Sequence, residues 1–195
     1  ILKRRKHSHV HSFLYSSPMD TVTDLKFAKA FYSLNHNPVF CRFLSKKEKK
    51  NYIKFLKEND WPSNAWYSVG ANRKDLVELE EILSEYNVPA KAINLSVDVA
   101  HGDTEFLQEL YEEYSSFPYL NYLMSGTVAT PESALNVYDA GCTHIRVGVG
   151  SGSACTTRVM TGCGLPNLTA VYRIYKHLSS KYDKNSFTLI ADGGI

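Results

Sequence analysis

No run of 18 apolar residues interrupts the 195-residue sequence, so nothing in it reads as a membrane-spanning helix. Charge of one sign is equally scarce. The 22 Lys and Arg stand against 20 Asp and Glu, and a formal net charge of +2 creates no field suited to nucleic acid or an anionic membrane. The four cysteines, Cys41, Cys142, Cys155 and Cys163, form no C-x-x-C pair and follow no signal peptide, which predicts a cytoplasmic protein whose thiols stay free. Glycine is missing from one particular place: no G-x-G-x-x-G follows the first apolar run, as a dinucleotide-binding Rossmann unit requires. What is present is 44% hydrophobic residues, enough for a sizeable core, and a near-neutral surface suited to small ligands.

The basic opening "ILKRRKHSHVH" is the one compositional oddity. His7, His9 and His11 alternate, so on a strand they would share a face and could hold a metal, and the cations beside them could meet a phosphate. Terminal charge runs are ordinarily solvated, and that reading is preferred here.

Short apolar runs alternate with helical patterns along the chain. Seven strands are predicted, at residues 12–16, 38–41, 65–69, 93–97, 119–124, 144–149 and 187–191, each of a length that suits a buried parallel strand. Leu76, Leu79, Ile82, Leu83 and Tyr86 repeat at helical spacing, as do Phe106, Leu107, Leu110, Tyr111 and Tyr114, which predicts helix faces turned to a sheet. Ser45 with Glu48 reads as a capping box, Thr130–Pro131 as an N-cap and first helical residue, and Gly141 as the stop of that helix.

A β-α repeat of this kind fits a doubly wound sheet or a (β/α)₈ barrel. The strand ends decide between them. "SSPMD", "DVAHG", "SGT", "GVGSGSACTT" and "ADGG" all follow predicted strands, and a barrel gathers its chemistry on those loops. The expected fold is therefore a TIM (β/α)₈ barrel, with seven of the eight strands in a single domain spanning residues 1–195.

In the loop after residues 144–149, Gly148, Gly150 and Gly152 let backbone N–H groups converge on an anion, with Ser151 and Ser153 adding hydroxyl donors. Turned the other way, the carbonyls of Gly150, Gly152 and Cys155 could surround a monovalent cation, since hard cations prefer oxygen ligands. A thiol in such a loop, close to a helix start and to Arg158, can be held as the nucleophilic thiolate, which marks out Cys155. Cys41, Cys142 and Cys163 read as buried and inert.

Four stretches, "SPMDTVT" at 17–23, "DVAHG" at 98–102, "GVGSGSACTTRVMTGCGLPNLTAV" at 148–171 and "ADGG" at 191–194, resemble the IMP dehydrogenase and GMP reductase family in the same order along the chain. The resemblance implies a barrel that binds a purine 5′-monophosphate (GMP or IMP) beside a nicotinamide cofactor, NADPH for a reductase or NAD for a dehydrogenase. It implies that Cys155 attacks purine C2 and that Thr157 handles ammonia or water. Ser153 and Gly194 fall on phosphate-binding positions, Asp192 on the carboxylate that holds both ribose hydroxyls, and Ser17 and Met19 on the base pocket. Asp98, with Ala100 and Gly102 of the same motif, falls beside the nicotinamide. Potassium as the loop cation and a homotetramer are further implications. Taken singly, Asp192 reads as a turn residue, Met19 as core and Asp98 as a helix cap.

Within that family, dehydrogenases typically carry a regulatory insert after the second barrel helix, whereas here "ENDWPSNAW" runs straight into the next strand. "DVAHG" is also closer to the reductase wording, and Arg42 stands where reductases place a lysine. "SPMDTVT" is closer to the dehydrogenase. The resemblance thus implies NADPH-dependent reductive deamination of GMP to IMP, with a dehydrogenase lacking the insert as the alternative. A catalytically inactive nucleotide-binding barrel is a second alternative, against which Cys155 and Thr157 speak. The eighth strand and the mobile catalytic flap are expected beyond Ile195.

Overall fold

A computed structural model describes residues 13–153 and 155–195, so the His7, His9 and His11 reading falls outside the described residues. Among the described residues six strands form one parallel sheet in sequential order: β1 (Val39–Phe40), β2 (Trp66–Val69), β3 (Ile93–Val97), β4 (Leu120–Val128), β5 (His144–Val147) and β6 (Thr188–Ala191). A doubly wound sheet starts at its middle and reverses direction. This one advances strand by strand, which is the arc of a (β/α) barrel.

The helices form where the periodicity places them. α1 (Leu25–Ser33) precedes β1, and α2 (Lys46–Glu58) follows it with the capping box in place: the Glu48 N–H donates to Ser45 Oγ at 3.3 Å, and the Ser45 N–H donates to Glu48 Oε2 at 3.0 Å. α3 (Arg73–Ser84) buries Leu76, Leu79, Ile82 and Leu83, with Tyr86 half-buried just past its end. α4 (Glu105–Ser115) buries Leu107, Leu110, Tyr111 and Tyr114; Phe106, expected on the same face, is 59% exposed, because it falls at the edge of the stripe that those four residues fill. α5 (Pro131–Asp139) starts on Thr130 with Pro131 at its first turn, and the Gly141 N–H bonds back to the Tyr138 carbonyl just past its end. The short α6 (Thr157–Thr161) and the longer α7 (Asn167–Ser179) complete the set, and no described helix is long and apolar enough to cross a membrane.

Alternation along the strands separates two cores. Phe40, Tyr67, Leu95, Leu123 and Ile145 point outward into the large cluster shared with the helices, where Tyr52 of α2 stacks on Phe40 at 4.1 Å between ring centroids. Val39, Trp66 and Met124 face inward with Tyr15 and Ile190.

Two expectations need correction. Residues 12–16 were expected as a strand, but among the described residues Tyr15 makes only an isolated parallel bridge to Asn37, leaving six strands where seven were expected. Asn37 makes both backbone bonds of that bridge, with the Leu14 carbonyl and the Ser16 N–H, but the next donor on this side, the Val39 N–H, goes to the Ser16 hydroxyl at 2.8 Å instead of a backbone carbonyl, and the ladder ends. Conversely, "SGT" was read as a loop, yet β4 runs on to Val128, with a register shift between Gly126 and Val128. Gly126 lies so close to β5 (φ +134°) that a Cβ there would collide with the Arg146 carbonyl oxygen and stand 2.8 Å from the Arg146 Cβ, while Gly102 presses on it from the other side.

Candidate active site

The C-terminal ends of the strands bring the predicted residues to one rim. A cavity of about 120 Å³ opens there, lined by Ser16 and Ser17 after the Tyr15 bridge, Ser96 of β3, Met124 of β4, Arg146 of β5, and Asp192 and Gly193 after β6. Small-molecule pockets usually measure about 300–1,000 Å³, so this cleft has room for only part of a ligand of that size. Of the residues singled out in the sequence, Ser17 and Asp192 both line the cleft. Met19 does not line the cleft and is 54% exposed, so it is not core.

Arg146 organises the charge at this rim. Its Nη2 donates to Asp192 Oδ2 at 2.8 Å and its Nη1 to Asp98 Oδ1 at 3.3 Å. Arg42 extends the chain: its Nε lies 3.8 Å from Asp98 Oδ2 and its Nη1 lies 3.8 Å from Asp75 Oδ2, which itself accepts the Gly70 N–H at 2.6 Å. Acid and base therefore alternate, Asp75, Arg42, Asp98, Arg146, Asp192, across the face of the sheet. Asp98 is not a helix cap, since the α4 N-cap is Thr104, whose side chain accepts the Leu107 N–H.

The thiol loop is held against the turn that follows β6. Ser151 Oγ donates to the Asp192 carbonyl oxygen, and Asn167 Nδ2, at the start of α7, donates to the Gly193 carbonyl oxygen at 2.6 Å. At Gly148 (φ +143°) a Cβ would stand 2.6 Å from Ser151 Oγ and 3.1 Å from the Asp192 carbonyl oxygen, so only a glycine lets this loop close on the turn. Gly194 lies against Ser151, and Gly193 approaches the Gly152 Cα. Ser153 and Cys155 are exposed on the same loop; the Cys155 N–H donates to the Gly152 carbonyl at 3.0 Å, and Gly150 packs on Arg158. Thr157 opens α6, two residues on.

On the third side of the rim Ala100 is exposed, its carbonyl accepting the Thr127 hydroxyl at 2.8 Å. Gly102 is buried, its N–H donating to the Thr127 carbonyl at 3.0 Å and its own carbonyl accepting the Tyr111 hydroxyl at 2.8 Å.

The thiols divide two and two. Cys41 and Cys142 are buried, and burial pushes both thiols up from their ordinary pKa. Cys163, expected to be buried, is exposed in the turn after α6, because the Thr161 hydroxyl takes its N–H at 3.1 Å and leaves its side chain outside. Among the described residues no three His, Cys, Asp or Glu side chains converge as metal ligands would.

Sequence reasoning missed Arg146, Ser151 as a loop clasp, and Asn167. Arg146 carried a signal: it is the one charged residue in "HIRV", spaced two from His144 and so on the inward face. Asn167 carried none that sets it apart from an ordinary helix-start residue.

A family model described as IMP dehydrogenase / GMP reductase domain matches residues 3–195. Among curated proteins, the chain is 40% identical over 122 residues to an inosine-5′-monophosphate dehydrogenase of Streptococcus pyogenes, covering 62% of this chain and 23% of that protein. Proteins of the same name match from Staphylococcus saprophyticus, 38% over 116 residues (59% and 23%), and from Pasteurella multocida, 40% over 102 residues (52% and 20%). The matched stretch spans less than a quarter of the length of these relatives.

Proposed function

Because the chain belongs to the IMP dehydrogenase / GMP reductase family, we propose that it serves a purine-nucleotide oxidoreductase in which the Cys155 sulfur forms a covalent bond to C2 of a purine 5′-monophosphate. The observation that carries this reading is the clasp of Ser151 and Asn167, which holds the loop of the exposed Cys155 onto the turn that presents Asp192. A nucleophile and a carboxylate able to accept two hydroxyl bonds thereby share one rim.

In this reading the Asp192 carboxylate takes the ribose diol, and Ser153 with the Gly194 backbone takes the phosphate. Ser17 and Met19 border the base, and Thr157 handles the leaving ammonia. The carbonyls of Gly150, Gly152 and Cys155 suit a monovalent cation such as potassium, with the Gly152 oxygen also accepting the Cys155 N–H. The residues fit a nicotinamide dinucleotide as well: the Asp98 carboxylate, 23% exposed beside the exposed Ala100, is an acceptor facing the rim, and the fully engaged Gly102 backbone fixes that rim to β4. The dinucleotide supplies or takes the hydride. Residues 1–195 act as one barrel unit, in a cytoplasmic homotetramer.

The favoured direction is GMP reduction, in which GMP, NADPH and two protons give IMP, ammonium and NADP⁺. Covalent attachment splits displacement at an aromatic carbon into two easier steps. The direct passage from α2 to β2 within residues 59–65 favours this direction. The names of the curated relatives favour the second reading, oxidation of IMP with NAD. Incubating the full chain with GMP plus NADPH and, separately, with IMP plus NAD decides between them. Ammonium released in step with NADPH loss, abolished by Cys155→Ala, is the expected result. Turnover confined to IMP plus NAD would establish the dehydrogenase, and no turnover with either pair would overturn the enzyme reading.

A further inference from the structure

Two aspartates assigned above to different ligands share one guanidinium. Asp98 follows β3 and Asp192 follows β6, yet both end on Arg146, whose side chain is only 14% exposed. A guanidinium is a rigid planar fork, so fixing one of its ends fixes the direction of the other. The ends are unequal. The 2.8 Å bond to Asp192 has the length of a good charge-assisted bond, whereas the 3.3 Å reach to Asp98 is longer than the usual ~2.7–2.9 Å. Asp192 is also the more exposed carboxylate, 33% against 23% for Asp98, so a ligand reaches it directly.

Resting on the nucleotide-site reading given above, we propose that Arg146 is a positioning residue that couples the two ligand sites. A nucleotide whose ribose hydroxyls engage Asp192 orients that carboxylate and, with it, the plane of the fork. The other end then holds Asp98 in one orientation for the dinucleotide. Backbone contact keeps the fork in register: Gly126 of β4 lies directly on the Arg146 backbone and leaves it no room to shift toward β4. The network carries three carboxylates and two guanidiniums, and Arg42 Nε is buried without a hydrogen bond among the described residues. Arg42 is therefore no substitute for the fork, and Arg146 is the group that bonds both aspartates. By linkage the effect is reciprocal: each ligand tightens the other by the same factor, expected to be about five- to tenfold.

The test is equilibrium binding of IMP to the full chain, followed by protein fluorescence, with and without a saturating reduced dinucleotide, NADPH or NADH. IMP and a reduced dinucleotide do not react with each other in either direction of the proposed chemistry, so affinity alone is read. The expected result is IMP affinity about five- to tenfold higher with the dinucleotide present, a ratio that falls to about one in Arg146→Lys, which keeps the charge and loses the fork. A second variant, Asp98→Asn, leaves Arg146 and the IMP contacts in place and is expected to weaken IMP binding about two- to threefold with no dinucleotide present, an effect within the range for mutations along a coupled network. A ratio near one in the unaltered chain, a ratio that survives in Arg146→Lys, or IMP affinity untouched by Asp98→Asn would each overturn the coupling while leaving the nucleotide site standing. Failure of the unaltered chain to bind IMP at all would overturn the site reading and the coupling with it.

Discussion

His144 shows at the residue scale how the barrel interior sets chemistry. It stands two residues before Arg146 on β5, its ring 4.7 Å from that of Trp66 and 5.3 Å from that of Tyr122 between centroids. Burial lowers its pKa from 6.5 to about 4, so it is neutral in the folded chain at neutral pH. The unfolded chain takes up this proton near pH 6.5 and the folded chain only near pH 4, so between those values the unfolded state binds more protons. Stability from this residue is therefore complete above pH 6.5 and is lost as pH falls toward 4, by roughly 2–3 kcal/mol at about 1.4 kcal/mol per unit. Urea denaturation of the native chain and of His144→Phe at pH 7 and pH 4 should show that gap. A difference between the two proteins that is independent of pH would contradict it. Cys155 stood out as a single residue because it sits among small neighbours, whereas Asp192 and Asp98, read singly as a turn residue and a helix cap, were singled out by the motifs that carry the family resemblance. Arg146 was not, because its meaning lies in partners 46 and 48 positions away that no local pattern connects.

At the scale of elements, periodicity was a sound guide wherever a strand or helix has one polar and one apolar side. It located α3, α4 and the middle strands closely, and the capping box and the Thr130–Pro131 start formed as read. It misjudged two segments in which backbone contacts outweigh side-chain pattern. Around Tyr15, the Ser16 hydroxyl takes the Val39 N–H in place of a backbone carbonyl and the ladder stops; at Ser125–Thr127, small polar residues that look like a turn continue β4, because the strand needs a glycine where it meets Arg146. Gly126→Ala should accordingly destabilise the chain by roughly 2 kcal/mol or more, the scale of overpacking in a filled interior with backbone strain added. Chemical denaturation measures this directly. An unchanged midpoint would show that β4 has room that the geometry denies it.

At the scale of the whole molecule, a sheet that advances in one direction places every strand's C-terminal end on one side, and the loops there are the ones that carry the thiol, the carboxylates and the cleft. The central claim is that this rim is a purine-nucleotide site with Cys155 as its nucleophile. Two exposed thiols allow it to be tested with an internal control, since Cys163 lies on the same stretch of chain but beyond α6 and outside the clasped loop. The direct measurement is limited alkylation of the native chain by iodoacetamide, mapped by mass spectrometry, with and without IMP or GMP. The account predicts label on Cys155 and Cys163, none on Cys41 or Cys142, and nucleotide protection of Cys155 alone. Labelling of Cys155 that nucleotide leaves unchanged, or protection falling equally on Cys163, would contradict it.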